Sequence, residues 1–331
     1  MLLNEVIELL DKSSECTVRV EGIYRVSRIH WHQDPLIGPC RQLDLYDSTG
    51  SIKALLPGGE CKPWLVADAP YSLQIVSLAH LPNPTVRIIE ISEAPEAGFN
   101  PITIIPSAWT TKPEYIPRLF ALYTGLNSEA IALFWQDVFR NQLWLKGFLS
   151  IPASLDCHHS NPGELFAHSV SVAESVAATM DKQLSLNPVE RDAAITVALL
   201  HDATKAVWIQ ENRNRWRIPF LPREHERLLP YFLAGPLIRL ERRNRDDWAT
   251  LVRIIDDYIR PKERSNSPLS QLIRTADQLD SHLDARLLSQ KSMRHFRNWN
   301  KIGGRMHWSP VLPTEFSTGN LKNTDRSPWK T

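Results

Sequence analysis

Cysteine is scarce in this sequence. The chain has 4 cysteines among 331 residues, and Cys16, Cys40, Cys61 and Cys157 form no C-x-x-C pair. Structural zinc sites and disulfide frameworks both need closely spaced or paired cysteines. The pattern therefore argues against both kinds of site and is typical of a protein in the reducing cytoplasm.

The sequence also lacks a long apolar run and an excess of either charge. Its longest apolar stretch, residues 193–200, includes Thr196 and is far shorter than the roughly 20 residues that span a bilayer. The amino-terminal segment is amphipathic and acidic, whereas a signal peptide begins basic and continues apolar. A net charge of +1 gives no overall field that attracts nucleic acid. We expect a cytoplasmic protein with no membrane partner.

Alternating apolar and polar residues fill the first part of the chain. They predict strands over residues 17–31, on both sides of a turn at 47–50, and over 72–80 and 85–94. Residues 59–70 are predicted to form a short helix. Five strands with a helix after the third predict an OB-like β-barrel, which with a short amino-terminal helix occupies residues 1–98. Such a barrel either binds single-stranded nucleic acid or serves only for docking or oligomerisation.

Aromatic and basic side chains are interleaved on the predicted strands. Aromatic rings beside cations are what a single strand needs for stacking and for phosphate contacts. The same aromatic residues can instead fill the barrel interior. The candidate nucleic-acid contacts are Arg19, Arg28, Trp31, Tyr46 and Lys53.

Helical periodicity dominates the rest of the chain, so the predicted fold class is α+β. A proline-rich connection at 99–117 leads to a helical bundle at 118–290 and a polar, loosely ordered tail at 291–331. Within the bundle we expect N-caps at Ser128 and Asn187. The pattern predicts one unbroken helix after Ser128 and another from Asn187 to about Ala206. It also predicts a single, mostly solvated helical stretch over 237–259. On the last helix we expect an apolar stripe formed by Leu272, Ile273, Ala276, Leu279 and Leu283.

Four polar residues interrupt the apolar helices of this bundle. His168 shares a helix face with Leu165, and the pair His201 and Asp202 follows a run of apolar residues. Buried polar groups are costly unless they are paired or bind a metal. With Asp277 they supply nitrogen and oxygen donors that suit a divalent ion, and Mn, Mg, Fe and Ni are not distinguished.

The order of these residues resembles the HD superfamily of metal-dependent phosphohydrolases. The segment ALLHDATK, residues 198–205, is similar to the LLHDxGK motif of that family. The resemblance implies a metal held by His168, His201, Asp202 and Asp277. It also implies catalytic roles for Asp202, which would help to orient water, and for Lys205, which would offset phosphate charge.

Two subfamilies are more similar still. Residues 148–173 resemble exoribonucleases that carry an OB-fold ahead of the HD domain and degrade RNA from its 3′ end. The same segment, together with residues 225–230 and 276–278, resembles the HD domain of a class of conjugative DNA relaxases. The resemblance covers roughly residues 17–290. It implies cleavage of single-stranded RNA or DNA, with the OB module binding the strand.

The sequence departs from the family at several positions. Thr204 stands where a glycine is usual, and residues 253–258 lack the His-His pair that two-metal members have before the last helix. A single metal is therefore the safer prediction. A second metal would involve His225 with Asp256 or Asp257. His225 is otherwise a candidate for acid catalysis or substrate contact. His158 and His159 either line the pocket or cap a loop.

Several functions remain open at this point. The first is a nuclease acting on single strands, and a relaxase-like DNA-processing protein is its close relative. The second is a phosphohydrolase of small nucleotides with a regulatory barrel. The third is a non-catalytic binding protein on an HD scaffold, which the missing His-His pair favours. The oligomeric state is also open, with a homo-oligomer as one option.

Overall fold

The computed structural model combines a five-stranded sheet with a larger helical part, so the fold is mixed α+β. None of the helices in the described ranges has both the length and the apolar composition that a membrane crossing requires. The structure describes residues 1–12, 19–58, 63–67, 69–77, 85–95, 99–155, 158–183, 187–208, 210–212, 215–217, 225–260, 267–291, 299–302 and 305–308.

The sheet closes on itself. Its strands pair in the order β1-β2-β3-β5-β4, and β4 pairs again with β1. All contacts are antiparallel except that between β3 and β5, which is parallel and involves only residues 53–55 of β3. A helix precedes these strands, and the elements are α1 (Leu3–Lys12), β1 (Arg19–Asp34), β2 (Gly38–Tyr46), β3 (Ser51–Pro57), β4 (Pro70–Ser77) and β5 (Thr85–Glu93).

Asp47 links the turn between β2 and β3 to α1. Its Oδ1 accepts hydrogen bonds from the backbone N–H of Thr49 at 2.7 Å and of Gly50 at 3.2 Å, as an aspartate in a tight turn does. Its Oδ2 accepts from the N–H of Leu3 at 2.7 Å. Because the side chains of Leu3 and Val6 are buried in the sheet core, α1 packs on the strands as part of this unit.

The short helix predicted over residues 59–70 does not form in the described part of that segment. Residues 63–67 form turns, and residues 59–62 and 68 lie outside the described ranges. The Tyr71 hydroxyl accepts from the N–H of Val66 at 2.7 Å and donates to the carbonyl of Trp64 at 2.9 Å. These backbone groups are therefore satisfied without a helical turn.

The helical part contains ten α-helices within the described residues. It also contains 3-10 turns at Pro101–Ile104, Ser107–Trp109 and His225–Leu228. The helices are α2 (Tyr115–Thr124), α3 (Glu129–Phe139), α4 (Gln142–Ser150), α5 (Glu164–Gln183), α6 (Pro188–Leu200), α7 (Lys205–Trp208), α8 (Leu229–Phe232), α9 (Ala234–Arg243), α10 (Arg245–Ile259) and α11 (Pro268–Lys291).

The two predicted N-caps are confirmed. Ser128 Oγ accepts from the N–H of Ile131 at 3.1 Å, and Asn187 Oδ1 accepts from the N–H of Val189 at 2.9 Å. Each side chain satisfies a backbone donor that has no partner within its own helix.

Two further asparagines divide segments that were predicted to be continuous. Asn141 caps α4 by accepting from the N–H of Trp144 at 3.1 Å, so the helix predicted after Ser128 is two helices. Asn244 caps α10 by accepting from the N–H of Asp246 at 3.1 Å, and the stretch over 237–259 is likewise two helices. That stretch is not mostly solvated, because α10 buries Leu251, Ile254, Ile255, Tyr258 and Ile259.

The sheet and the helices have separate hydrophobic cores. The core of the sheet is built from residues of α1 and β1 to β5. The helical core begins with Ile102 and Ile105, so the proline-rich connection packs with the helices. On α11 the predicted stripe is wrong at its carboxyl end, because Leu279 is 54% exposed and Leu283 is 49% exposed.

Short antiparallel strand pairs accompany the helices. β6 (Gln210–Asn212) pairs with β7 (Arg215–Arg217) between α7 and the 3-10 turn at His225–Leu228. β8 (Trp299–Ile302) pairs with β9 (Arg305–Trp308) inside the tail predicted to be loosely ordered. The other tail residues beyond 291 lie outside the described ranges.

Candidate metal centre

The helix α6 ends earlier than predicted, and its end forms the floor of the site. Beyond Leu200 the backbone hydrogen bonds shorten to three-residue spacing, with the N–H of Ala203 donating to the carbonyl of Leu200 at 2.9 Å. The N–H of Lys205 donates in the same way to the carbonyl of Asp202 at 3.0 Å. This tighter turn, common at helix ends, places His201 and Asp202 in the interior, at 1% and 5% exposure.

Gly163 sets the entry to α5, the helix that carries His168. Its φ of +78° lies in the left-handed region that favours glycine. A Cβ atom there would lie 2.7 Å from Thr111 Oγ1, so a side chain would also collide with the proline-rich connection. Position 163 therefore requires glycine for a local conformational and steric reason.

Four donor atoms from three segments converge at the site. His168 Nε2 lies 3.2 Å from Asp277 Oδ1 and 4.0 Å from Asp202 Oδ2. His201 Nε2 lies 3.7 Å from Asp277 Oδ1 and 3.5 Å from Asp202 Oδ2. Ligands bound to one ion at about 2.1 Å are separated by about 3.0 to 3.4 Å. His168, His201 and Asp202 thus lie close enough to one another to hold one metal ion, and Asp277 Oδ1, the fourth predicted ligand, lies within 3.7 Å of both histidines.

The two ring nitrogens of His201 differ in their surroundings. Its Nδ1 donates to the carbonyl of Ala198 at 2.7 Å, which places the lone pair of a neutral ring on Nε2. Nε2 is buried and has no hydrogen-bond partner among the described residues. An unsatisfied buried polar atom costs about 1 to 3 kcal/mol. A cation between Nε2 and the two carboxylates would remove that cost.

His168 is oriented by a carboxylate on the far side of its ring. Its Nδ1 lies 2.7 Å from Asp280 Oδ2, so Nδ1–H donates to Asp280 and Nε2 is turned toward Asp202 and Asp277. A metal-binding histidine usually donates its second N–H to a carboxylate or carbonyl in this manner. Burial opposes the charged ring, but the carboxylates of Asp277 and Asp280 outweigh it and raise the pKa of His168 to about 9.

The carboxylates of the site stay ionised despite their burial. Burial alone would raise the pKa of Asp202, but Lys205 and then His201 and His225 hold it well below its usual range. Burial would likewise raise the pKa of Asp277, but His168 and His201 hold it below its ordinary value. A pocket of ionised carboxylates favours a bound cation, and a metal ion would take the place of the proton on His168 Nε2.

Lys205 and His225 both contact Asp202. Lys205 Nζ donates to Asp202 Oδ2 at 2.5 Å. Lys205 lies on α7, a short helix separate from α6. His225 Nε2 lies 2.9 Å from Asp202 Oδ1. His225 is held there because its carbonyl accepts from Thr204 Oγ1 at 3.2 Å. Thr204 thus anchors the segment that carries His225.

A second metal site gains little support from these contacts. His225 lies at hydrogen-bonding distance from Asp202, and Asp256 pairs with Arg260 at 3.0 Å. His159, His168 and Asp280 also form a cluster of possible donors. However, His159 Nε2 and His168 Nδ1 lie only 2.8 and 2.7 Å from Asp280 Oδ2, closer than two ligands of one ion, and His168 Nδ1 is hydrogen-bonded to that oxygen.

His158 and His159 lie beside the site, and His159 fastens its loop to α11. The backbone N–H of His159 donates to Asp284 Oδ2 at 2.7 Å, and its φ of +48° is rare for a residue other than glycine. Its ring lies 4.9 Å from the ring of His168. Burial, followed by repulsion from His159, lowers the pKa of His158. The pair therefore contributes both to the loop and to the wall of the site.

Sequence reasoning missed Asp280 and Asp284 as functional residues. The sequence feature that could have pointed to them is the spacing of Asp277, Asp280 and Asp284, which places three carboxylates on one face of α11. Acidic residues at helical spacing usually face solvent, so this spacing alone does not identify a site. What distinguishes these residues is the histidines that approach them from a distant part of the chain.

The candidate nucleic-acid contacts do not form one surface. Tyr46 is only 3% exposed, so its ring fills the sheet and is not a stacking platform. Arg28 and Lys53 are exposed. Arg28 of β1 pairs with Asp44 of β2, which pairs on its other side with Lys53 of β3. Trp31, 59% exposed, lies three residues after Arg28 and so points to the other face. Arg19 is exposed and donates to Gln74.

Comparison of the chain with protein-family models, with curated proteins and with solved structures gives no match.

Proposed function

We propose that the chain is a metal-dependent phosphodiesterase that cleaves single-stranded nucleic acid. In this proposal the helical part is an HD-type bundle that hydrolyses the strand, and the sheet is an OB-like barrel that binds it. The observation that carries the proposal is the buried Nε2 of His201, which lacks a hydrogen-bond partner among the described residues and faces Asp202 and Asp277.

The residues around this atom suit a divalent ion and phosphate chemistry. His168, His201, Asp202 and Asp277 would hold the ion. When bound, it would supply a Lewis acid for a phosphate oxygen and lower the pKa of a bound water. Lys205, 17% exposed in its side chain, reaches the edge of the site and is placed to offset negative charge on a phosphate. Asp280 keeps the His168 ring in the orientation that presents Nε2.

The arrangement of the sheet supports the choice of a polymeric substrate. A closed ring of five strands, in which β3 meets β5 and β4 returns to β1, is what an OB-type barrel has, and that fold commonly binds single strands. The exposed Arg28 and Lys53 offer cationic groups on one face of the strands, and the exposed Trp31 offers an aromatic ring on the opposite face. These features favour a strand over a free nucleotide as the substrate.

The experiment is cleavage of labelled single-stranded RNA and DNA with Mn²⁺ or Mg²⁺, using the full chain. Asp202→Ala removes the central carboxylate, and Asp277→Asn changes a ligand whose side chain is 32% exposed and therefore endangers folding less. Asp256→Asn is the matched control, because Asp256 lies on α10 and pairs with Arg260. It also replaces one of the carboxylates that a second metal would need.

We expect metal-dependent cleavage by the wild type and by Asp256→Asn, and a loss of at least about 100-fold in both site variants. The polymer that is cut identifies RNA or DNA as the substrate. Cleavage that persists in folded Asp277→Asn and Asp202→Ala would contradict the proposal. So would a wild type that binds metal but cleaves neither polymer, which would leave a binding protein on this scaffold.

A further inference from the structure

A cleft of about 940 Å³ lies between the sheet and the helices, formed by elements other than those of the metal centre. Its floor includes Arg25 of β1, and one wall includes Arg239 and Arg243 of α9. Binding sites for small ligands commonly have volumes of about 300 to 1,000 Å³. The cleft is therefore large enough for a nucleotide.

The described residues that line the cleft are strongly cationic. Four of them are arginines (Arg25, Arg140, Arg239 and Arg243), and Asp137 is the one acid among them, which leaves an excess of three positive charges. Asp137 Oδ2 lies 3.1 Å from Arg239 Nε and 2.6 Å from Arg243 Nη1. One carboxylate thus serves two guanidinium groups, each of which has five N–H donors.

The two arginines of α9 remain accessible. Their side chains are 46% and 33% exposed for Arg239 and Arg243, respectively. They lie four residues apart and so project from the same face of the helix. Such a pair can grip a phosphate through several N–H groups at once, which is the geometry in which arginine binds phosphate best.

Arg25 makes the floor of the cleft rigid. Its side chain is 1% exposed, and its Nε donates to the carbonyl of Ile104 at 2.8 Å. Its guanidinium carbon lies 5.5 Å from the centre of the Trp109 ring. Trp109 and Phe99 are half-buried and line the same cleft. The floor therefore presents aromatic surface beside a fixed cation.

We infer that this cleft binds a nucleotide unit, with its phosphate at Arg239 and Arg243 and its base toward Trp109 and Phe99. The charge excess selects a phosphate, and the aromatic wall selects a flat ring over a simple anion. A free mononucleotide and one residue of a single strand share this chemistry. The inference goes beyond the proposed hydrolysis, because this binding requires no metal and no cleavage.

The test measures binding of fluorescently labelled single-stranded DNA and RNA in EDTA, where metal-dependent cleavage cannot occur. A second arm measures binding of labelled AMP. The glutamine pair is the double variant Arg239→Gln with Arg243→Gln. The lysine pair, Arg239→Lys with Arg243→Lys, keeps the positive charge at both positions. Arg253→Gln is the matched control, because Arg253 is 55% exposed and pairs with a single carboxylate, that of Glu190.

We expect the glutamine pair to weaken binding about tenfold or more and to lower the salt slope for a strand by about 0.7, the contribution of one single-strand phosphate contact. The lysine pair keeps the charge but loses the forked N–H groups, so it should bind more weakly than the wild type and more tightly than the glutamine pair. The control should stay within about twofold of the wild type. AMP binding that falls in parallel would identify a free nucleotide as sufficient, whereas binding of strands alone would identify the polymer.

Two results would overturn the inference. The first is a folded glutamine pair that binds strands and AMP as tightly as the wild type does. The second is a wild type that binds neither ligand. Because the assay contains no free divalent metal, failure here and failure of cleavage at the metal centre are separate observations.

Discussion

At His201 a single backbone carbonyl decides which ring nitrogen is left to bind a ligand. The Ala198 carbonyl accepts the proton of Nδ1, so Nε2 faces Asp202 and Asp277 with its lone pair. This carbonyl is three residues back in the same turn, so the orientation of the ring is set by local backbone geometry. The donor atom exists before any ion arrives, which lowers the cost of binding one.

Asp280 sets the orientation of the other histidine, and its removal gives the first prediction. Asp280→Asn weakens the acceptor for the Nδ1–H of His168, which lies 2.7 Å away. Loss of such a partner typically costs about 10 to 100-fold in metal affinity, and we expect at least a tenfold rise in the Mn²⁺ dissociation constant, measured by calorimetry. Asp284→Asn serves as the control, because Asp284 Oδ2 accepts from the backbone of His159. Equal affinities for Asp280→Asn and the wild type would rule out this role.

Lys205 gives a second prediction at the same scale. Lys205→Met removes the cation that lies 2.5 Å from Asp202 and at the edge of the site. If Lys205 offsets phosphate charge in the transition state, kcat for strand cleavage should fall about 10² to 10³-fold while the bound metal is retained. Kinetics and metal content measured on the same preparation check this. Unchanged kcat, or loss of metal along with activity, would show that Lys205 does not act on the substrate.

The helices show which elements local sequence specifies and which it does not. Caps at Ser128 and Asn187 were predictable, because each precedes a new apolar period. The breaks at Asn141 and Asn244 were missed, because the apolar pattern continues across both asparagines although the helix ends there and a new one begins. A local pattern reports which face is buried, but a change in helix direction depends on a side chain that satisfies free N–H groups.

The cap at Asn244 gives a prediction at the scale of the element. Asn244→Ala leaves the N–H groups of Asp246 and Asp247 without their acceptor. We expect the free energy of unfolding, measured with urea, to fall by about 1 kcal/mol. Asn244→Ser keeps a capping oxygen and should stay close to the wild type. An equal loss in both variants would mean that the asparagine contributes something other than the cap.

At the scale of the whole molecule, two cores meet through a few polar contacts. The backbone N–H of Ser48 donates to the carbonyl of Thr103 at 2.6 Å, and Arg25 joins the sheet to Ile104. The order of the two parts and the four predicted metal-binding residues followed from periodicity and from motif spacing. The contacts between the two parts, the cleft beside them and the role of Asp280 could not be predicted from the sequence. They depend on contacts between residues far apart in the chain, which local patterns do not encode.

The measurement that tests the central claim most directly is the number of divalent ions bound per chain. The full chain would be loaded with Mn²⁺, dialysed and analysed by mass spectrometry of the metal, beside His201→Gln and the control Asp256→Asn. We predict about one ion per chain for the wild type and the control, and a large loss for His201→Gln. A wild type that retains no ion, or a folded His201→Gln that retains as much as the wild type, would contradict the assignment of these residues as a metal centre.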